Sequence, residues 1–185
     1  AWLRLRNFAE AEKALRRSLE LSPRDITWSN LGSTLMESGR YAEGAQAFER
    51  ALQLNDIPYR TWGNLGAAYQ WSGAPREKTV AAYKEAVKRA EKARAATPRD
   101  AQLLVMLGSY QVWLGETQAA LRLTRQALAL DPENATVLQI AAQTFESAHQ
   151  REEAWTALRG ALSHGVSPEE MRHKPDLAAM TTDPR

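Results

Sequence analysis

The residues able to do chemistry are few, and their spacing argues against catalysis. His149, His164 and His173 are the only imidazoles, and no second imidazole stands three or four residues from any of them. The absence of cysteine removes disulfides, thiolate nucleophiles and cysteine-based zinc sites together. The pairs Glu152-Glu153 and Glu169-Glu170 are adjacent in sequence, which suits solvated helix faces better than an acid–base couple. No glycine-rich stretch has the spacing that cradles a phosphate. These residues therefore predict a chain that is not an enzyme and carries neither a metal nor a cofactor.

The most basic stretch, Arg76 to Arg99, holds eight Lys and Arg against three Glu. Lys78, Lys84, Lys88, Arg89 and Lys92 are spaced to form a stripe along one helix. Glu85 and Glu91 dilute it, and no aromatic residues interleave with the cations as they do in single-strand binders. The expectation is a solvated face and no nucleic-acid partner. A net charge of only +2 over 185 residues agrees with that. No apolar run approaches the ~18 residues that cross a bilayer, so direct membrane insertion is not expected. The compartment stays open. The opening Ala1-Trp2-Leu3-Arg4 lacks an initiator Met and reads as the middle of a helix, as if cut from a longer protein.

The elements that position these side chains follow from a repeated spacing. Trp28-Ser29-Asn30-Leu31-Gly32, Trp62-Gly63-Asn64-Leu65-Gly66 and Leu104-Val105-Met106-Leu107-Gly108 align, the first two starting 34 residues apart at 28 and 62. Seven residues beyond each closing glycine lies another: Gly39, Gly73 and Gly115. A second apolar-periodic stretch follows each turn, as in Tyr41, Ala45, Phe48, Ala51 and Leu52. It stops near a breaker such as Ser22-Pro23-Arg24-Asp25, Asn55-Asp56-Ile57-Pro58, Thr97-Pro98-Arg99-Asp100 or Asp131-Pro132-Glu133-Asn134. Proline cannot continue a helix, and the neighbouring Asp or Asn is suited to cap the next one. The order is first helix, Gly turn, second helix, Pro turn, and a period of this size marks stacked helical hairpins.

These residues resemble the tetratricopeptide repeat. The pattern reads Trp28, Leu31, Gly32, Leu35, Phe48, Ala51; then Trp62, Leu65, Gly66, Tyr69, Tyr83, Ala86, Pro98; then Leu104, Leu107, Gly108, Ala120, Thr124, Ala127, Pro132. A weaker unit reads Leu138, Ala141, Ala142, Phe145, Ala154, Leu158, Ala161, and Phe8, Ala11, Leu15, Ser18, Pro23 resemble a lone second helix. The resemblance implies an all-α, right-handed superhelical solenoid. It has a half unit over 1–24, units over 25–58, 59–100, 101–134 and 135–165, and a helical cap over 166–185. The unit from Tyr59 departs from the pattern: Trp62 to Pro98 spans 36 residues, where Leu104 to Pro132 spans 28. Seven of the additional residues fall after Tyr83. Seven is about two helical turns, so the buried face returns to phase and the second helix lengthens by ~10 Å.

The closing phrases Lys174-Pro175-Asp176-Leu177 and Thr182-Asp183-Pro184-Arg185 resemble those ending such regions in larger bacterial proteins, among them receptor-type serine/threonine kinases and nucleotide cyclases. The family implies recognition of a protein or peptide in a concave groove lined by first helices. Carried over position by position, that groove holds Asn30, Ser33, Arg60, Asn64, Ala67, Trp71, Ser109, Trp113, Gln139 and Gln143, with Gly63 and Val105 on the same row. Asn and Gln bind extended backbone from both donor and acceptor sides. Trp28 and Trp62 are expected in the core. Self-association through the Trp2 end, and service as a spacer or regulatory arm whose own tail fills the groove, are the alternatives.

Overall fold

The computed structural model describes residues 2–172, 174–177 and 180, and every regular element among them is a helix. The side chain of Trp2 and residues 173, 178–179 and 181–185, which include His173 and the closing Thr182–Arg185 phrase, lie outside the described residues. In chain order the helices are α1 (Trp2–Leu21), α2 (Asp25–Glu37), α3 (Tyr41–Leu54), α4 (Tyr59–Trp71) and α5 (Arg76–Ala96). There follow α6 (Ala101–Trp113), α7 (Thr117–Leu130), α8 (Ala135–Ser147), α9 (Arg151–Ser163), the short α10 (Pro168–Arg172) and a 3-10 turn at Pro175–Leu177. The chain forms two compact units, residues 1–89 and 90–185, with the boundary inside α5.

One hydrogen-bonded device turns each first helix into its partner. After α2, Gly39 N–H donates to Met36 O and Arg40 N–H to Leu35 O, which satisfies two carbonyls the helix end leaves open. The same pair of bonds closes α4 at Gly73 and Ala74, α6 at Gly115 and Glu116, and α8 at His149 and Gln150. The residue at the bend must adopt a left-handed backbone, with φ of 76°, 72° and 81° at the three glycines and 59° at His149.

The Pro turns are less uniform than expected. Asp100 caps α6 by accepting from Leu103 N–H, and Asn134 caps α8 by accepting from Thr136 and Val137 N–H. Asp25 does not cap α2: it lies inside the helix, and its carboxylate accepts from the Asn55 side chain at 2.7 Å. That bond ties the turn before α2 to the turn before α4.

Close approach within each hairpin is set at the Gly following Leu31, Leu65 and Leu107. A Cβ at Gly32 would lie 2.7 Å from the Phe48 ring, and one at Gly108 would lie 3.0 Å from the α7 carbonyl of Ala120. Phe48 is fully buried among Ala45, Leu52, Leu65, Ala68 and Ala82, with Trp62 and Tyr69 packed against the cluster. Removing a ring of that size from water stabilises by about 2–3 kcal/mol. Leu19, Leu31, Leu35 and Ala47 form a second cluster, with Trp28 on its edge. Trp28 and Trp62 thus belong to the packing, yet both remain half-exposed. The α5 helix has 21 residues against 14 in α3 and in α7. Its cations Lys84, Lys88 and Lys92 are exposed, while Arg89 is half-buried over the Trp62 ring and paired with Asp56 and Glu85.

Candidate functional site

In unit 1 the first helices α2 and α4 lie side by side, and the Ser29 and Thr61 hydroxyls meet at 3.4 Å. Asn30 follows Ser29 directly, and Asn64 stands three residues beyond Thr61, close to one turn. Asn30, Ser33 and Arg60 are exposed; Asn64, Ala67 and Trp71 are half-buried. The side chains of Asn30 and Asn64 make no hydrogen bond among the described residues, so both carboxamides keep donors and acceptors available. Ser33 is spent differently: its hydroxyl donates to Ser29 O at 3.1 Å. The Arg60 guanidinium lies over the Tyr59 ring at 5.5 Å from its centre. Gly63 is buried and does not belong to an accessible row, because α4 carries its packing face on that side.

In unit 2 the corresponding helices are α6 and α8. Ser109 and Trp113 on α6, and Gln139 and Gln143 on α8, are all half-buried. The Ser109 hydroxyl donates to Met106 O at 2.7 Å. Val105, placed on the groove row by the pattern, is fully buried among the apolar residues of α6. Eight of the thirteen residues of that helix are buried, so little of it is left for recognition.

Gln143 has a partner already, and it comes from the chain itself. Its amide donates to an Asp176 carboxylate oxygen at 3.2 Å, from the 3-10 turn packed against α8. The other Asp176 oxygen is buried without a hydrogen-bond partner. Burial pushes the Asp176 carboxyl up to about 6, although the Gln143 amide and the Lys174 charge act in the opposite direction. Met171, Leu177 and Met180 are buried, and the 3-10 turn packs against both α8 and α10, as a segment covering the last apolar face of an array would. Lys174-Pro175-Asp176-Leu177 was legible in the sequence as a closing phrase, but nothing local to it names Gln143.

Among the described residues no group of three His, Cys, Asp or Glu gathers as a metal site would require. No described helix is long and apolar enough to cross a membrane. The two faces present carboxamides, hydroxyls and half-buried indoles.

Comparison with known proteins agrees with this architecture. A family model described as tetratricopeptide repeat matches residues 1–56 and 29–69. The tetratricopeptide repeat-containing protein trd-1 of Caenorhabditis elegans is 40% identical over 65 residues, 35% of this chain. The chain spans 8% of that protein's length. Among solved structures, TTC0263, a thermophilic TPR protein of Thermus thermophilus, superposes with a TM-score of 0.65 at 21% identity, covering 96% of this chain and 92% of that one. MamA (41-end) from Desulfovibrio magneticus RS-1 superposes with a TM-score of 0.53 at 20% identity, with 88% of each chain covered. These likenesses concern the fold.

Proposed function

We propose, from the premise that this chain is a tetratricopeptide-repeat protein, that it holds an extended peptide segment along the α2–α4 face of unit 1. The fold is that of a protein–protein interaction scaffold in general. The single observation that carries the narrower reading is the pair of carboxamides at Asn30 and Asn64. They occupy the same place on adjacent first helices, and neither is spent on the fold. Each can accept from a peptide N–H and donate to a peptide C=O, which recognises backbone without regard to sequence. Arg60 and Trp71 flank them and would supply side-chain preference. Helices already locked in place spare a ligand part of the ordering cost that a mobile surface would impose.

The test is a peptide array probed with the intact chain and with an Asn30→Ala/Asn64→Ala double variant. Specific binders are expected to lose at least tenfold in affinity, roughly 1.4 kcal/mol, with helical circular dichroism unchanged. Binding that survives the double change intact would sink the assignment of this face.

A second reading applies to unit 2, favoured by the Gln143–Asp176 bond. There the C-terminal segment occupies part of the α8 face, so a partner must displace it or bind elsewhere. In that reading the segment regulates access. Deleting residues 174–185 would free Gln143 and raise peptide binding to α8; a deletion that leaves binding unaltered would speak against it.

A further inference from the structure

Among the described residues the exposed large hydrophobic side chains are Leu21, Ile26, Leu54 and Ile57, and all four belong to unit 1. They stand where a second helix hands over to the next first helix. Leu21 ends α1, Leu54 ends α3, Ile26 opens α2 and Ile57 lies in the turn before α4. Leu21 and Ile57 are 74% and 75% exposed, Ile26 and Leu54 53% and 54%. The two turns are joined. Ile57 N–H donates to Asn55 Oδ1 at 3.1 Å, and Asn55 Nδ2 donates to the Asp25 carboxylate at 2.7 Å. Ile26 follows Asp25 directly, so one chain of bonds holds the two isoleucines on the same edge. The four side chains expose on the order of 500 Å², a patch size that on a single chain often marks a binding site. The repeat does not call for it. Aligning Trp28 with Leu104 and Trp62 with Leu138 puts Gln102 at the Ile26 position and Glu133 at that of Ile57.

The carboxylates of this edge are already engaged. Glu20 pairs with Arg17 at 2.8 Å, Asp56 with Arg89 at 2.9 Å, and Asp25 accepts from Asn55 beside the charge of Arg24. Arg60, in the first turn of α4, forms no ion pair among the described residues. Ile26 and Arg60 precede the carboxamides of Asn30 and Asn64 by four residues each, so they share those helix faces about 6 Å along the axis. We propose that the segment held on the α2–α4 face carries an aliphatic residue flanked by carboxylates. Its aliphatic side chain covers Ile26, Leu54 and Ile57, and a carboxylate meets Arg60. This rests on the reading that Asn30 and Asn64 bind extended backbone, because side chains on one side of such a backbone reach the Ile26–Arg60 row. Contact removes apolar surface of both partners from water, and the carboxylate answers a cation that the fold leaves without an anion. The patch falls short of the about 800 Å² that each partner of a stable protein pair buries, so a short segment fits it better than a second copy.

The test uses the full chain and the blocked peptide N-acetyl-Asp-Leu-Ile-Asp-amide, followed through backbone amide shifts. Saturable shifts at Ile26, Ile57 and Arg60 are expected. The Lys-Leu-Ile-Lys counterpart should bind at least about fivefold more weakly, and the Asp-Ser-Ser-Asp counterpart should give no saturation. Ile26→Ser/Ile57→Ser changes only exposed side chains and should weaken the peptide at least about tenfold at unchanged helical circular dichroism. Arg60→Gln should erase the preference for the acidic peptide over the basic one. The Asn30→Ala/Asn64→Ala variant separates the two readings. Binding lost there but intact in the isoleucine variant overturns the present proposal alone; the reverse keeps the aliphatic contact and sinks the backbone reading instead. Absence of saturable shifts, or equal binding of the basic peptide, would also overturn the proposal. So would self-association, or sedimentation with phosphatidylserine vesicles, that Ile26→Ser/Ile57→Ser abolishes, because the occupant would then be a second copy or a lipid surface.

Discussion

His149 is the one residue other than glycine with a positive φ among the described residues, and it does the work that glycine does after α2, α4 and α6. A side chain in the left-handed region costs about 1–2 kcal/mol, part of which glycine returns through its freer unfolded state. His149→Gly should therefore stabilise by about 0.5–1 kcal/mol, read as a higher urea midpoint at unchanged slope. Asp176 sets a pH dependence of definite sign. Its carboxyl ionises near 3.8 when free and at about 6 in the fold. Between those values the folded chain retains a proton that the unfolded chain has released, so stability is greatest below the lower value. It falls as pH rises through the window and is least above pH 6. Asp176→Asn should flatten that slope and stabilise at pH 7.5 by on the order of 2–3 kcal/mol, two pKa units at about 1.4 each. Urea unfolding of both proteins at pH 4 and pH 7.5 decides it; an unchanged slope in the variant would refute the assignment. The position of His149 follows from the Gly39, Gly73, Gly115 spacing, but the burial of Asp176 depends on a helix 33 residues away.

The hairpin is the unit in which packing was most legible. Apolar periodicity and Gly turns place α2 through α9, because one buried stripe per helix dictates where each can lie. The seven-residue excess after Tyr83 predicts a longer helix in the same phase, and α5 is longer by that amount. Local spacing misjudged the faces in two places. Gly63 and Val105 share a groove register with exposed residues, yet neighbouring helices bury both. Asp25 has the composition of a cap, but Asn55 claims its carboxylate from the next turn. The hairpin also gives a sharp test. Gly108→Ala brings a methyl group to 2.7 Å from Thr124 Oγ1 and 3.0 Å from the Ala120 carbonyl. Backbone does not yield as a side-chain tip does, so α6 and α7 must part. The expected loss is about 1–3 kcal/mol from overpacking, reduced by the ~1 kcal/mol that alanine gains over glycine in a helix. A variant as stable as the parent would mean that the two helices are less tightly engaged than their separation implies.

The two units each contain their own hairpins and their own apolar contacts, and stability in such chains is approximately a sum of local terms. Hydrogen exchange in the Gly108→Ala protein should accelerate in α6 to α9, with protection in α2 to α4 nearly retained. Uniform acceleration along the chain would show instead that the units unfold as one. At this scale the repeat was plain in the sequence, since several units agree in spacing and residue type. What covers or leaves open each face was not, because it depends on contacts such as Gln143 to Asp176 that no repeat encodes. The repeated left-handed caps carry a kinetic consequence. Each cap joins helices that touch within some 30 residues of chain, so closing a hairpin costs little loop entropy and nucleation has several starting points. A weakened cap should slow refolding chiefly when it belongs to the hairpin that forms first. Glycine placed at 149 would quicken refolding if that hairpin is α8–α9, and would slow only the unfolding limb if it is not.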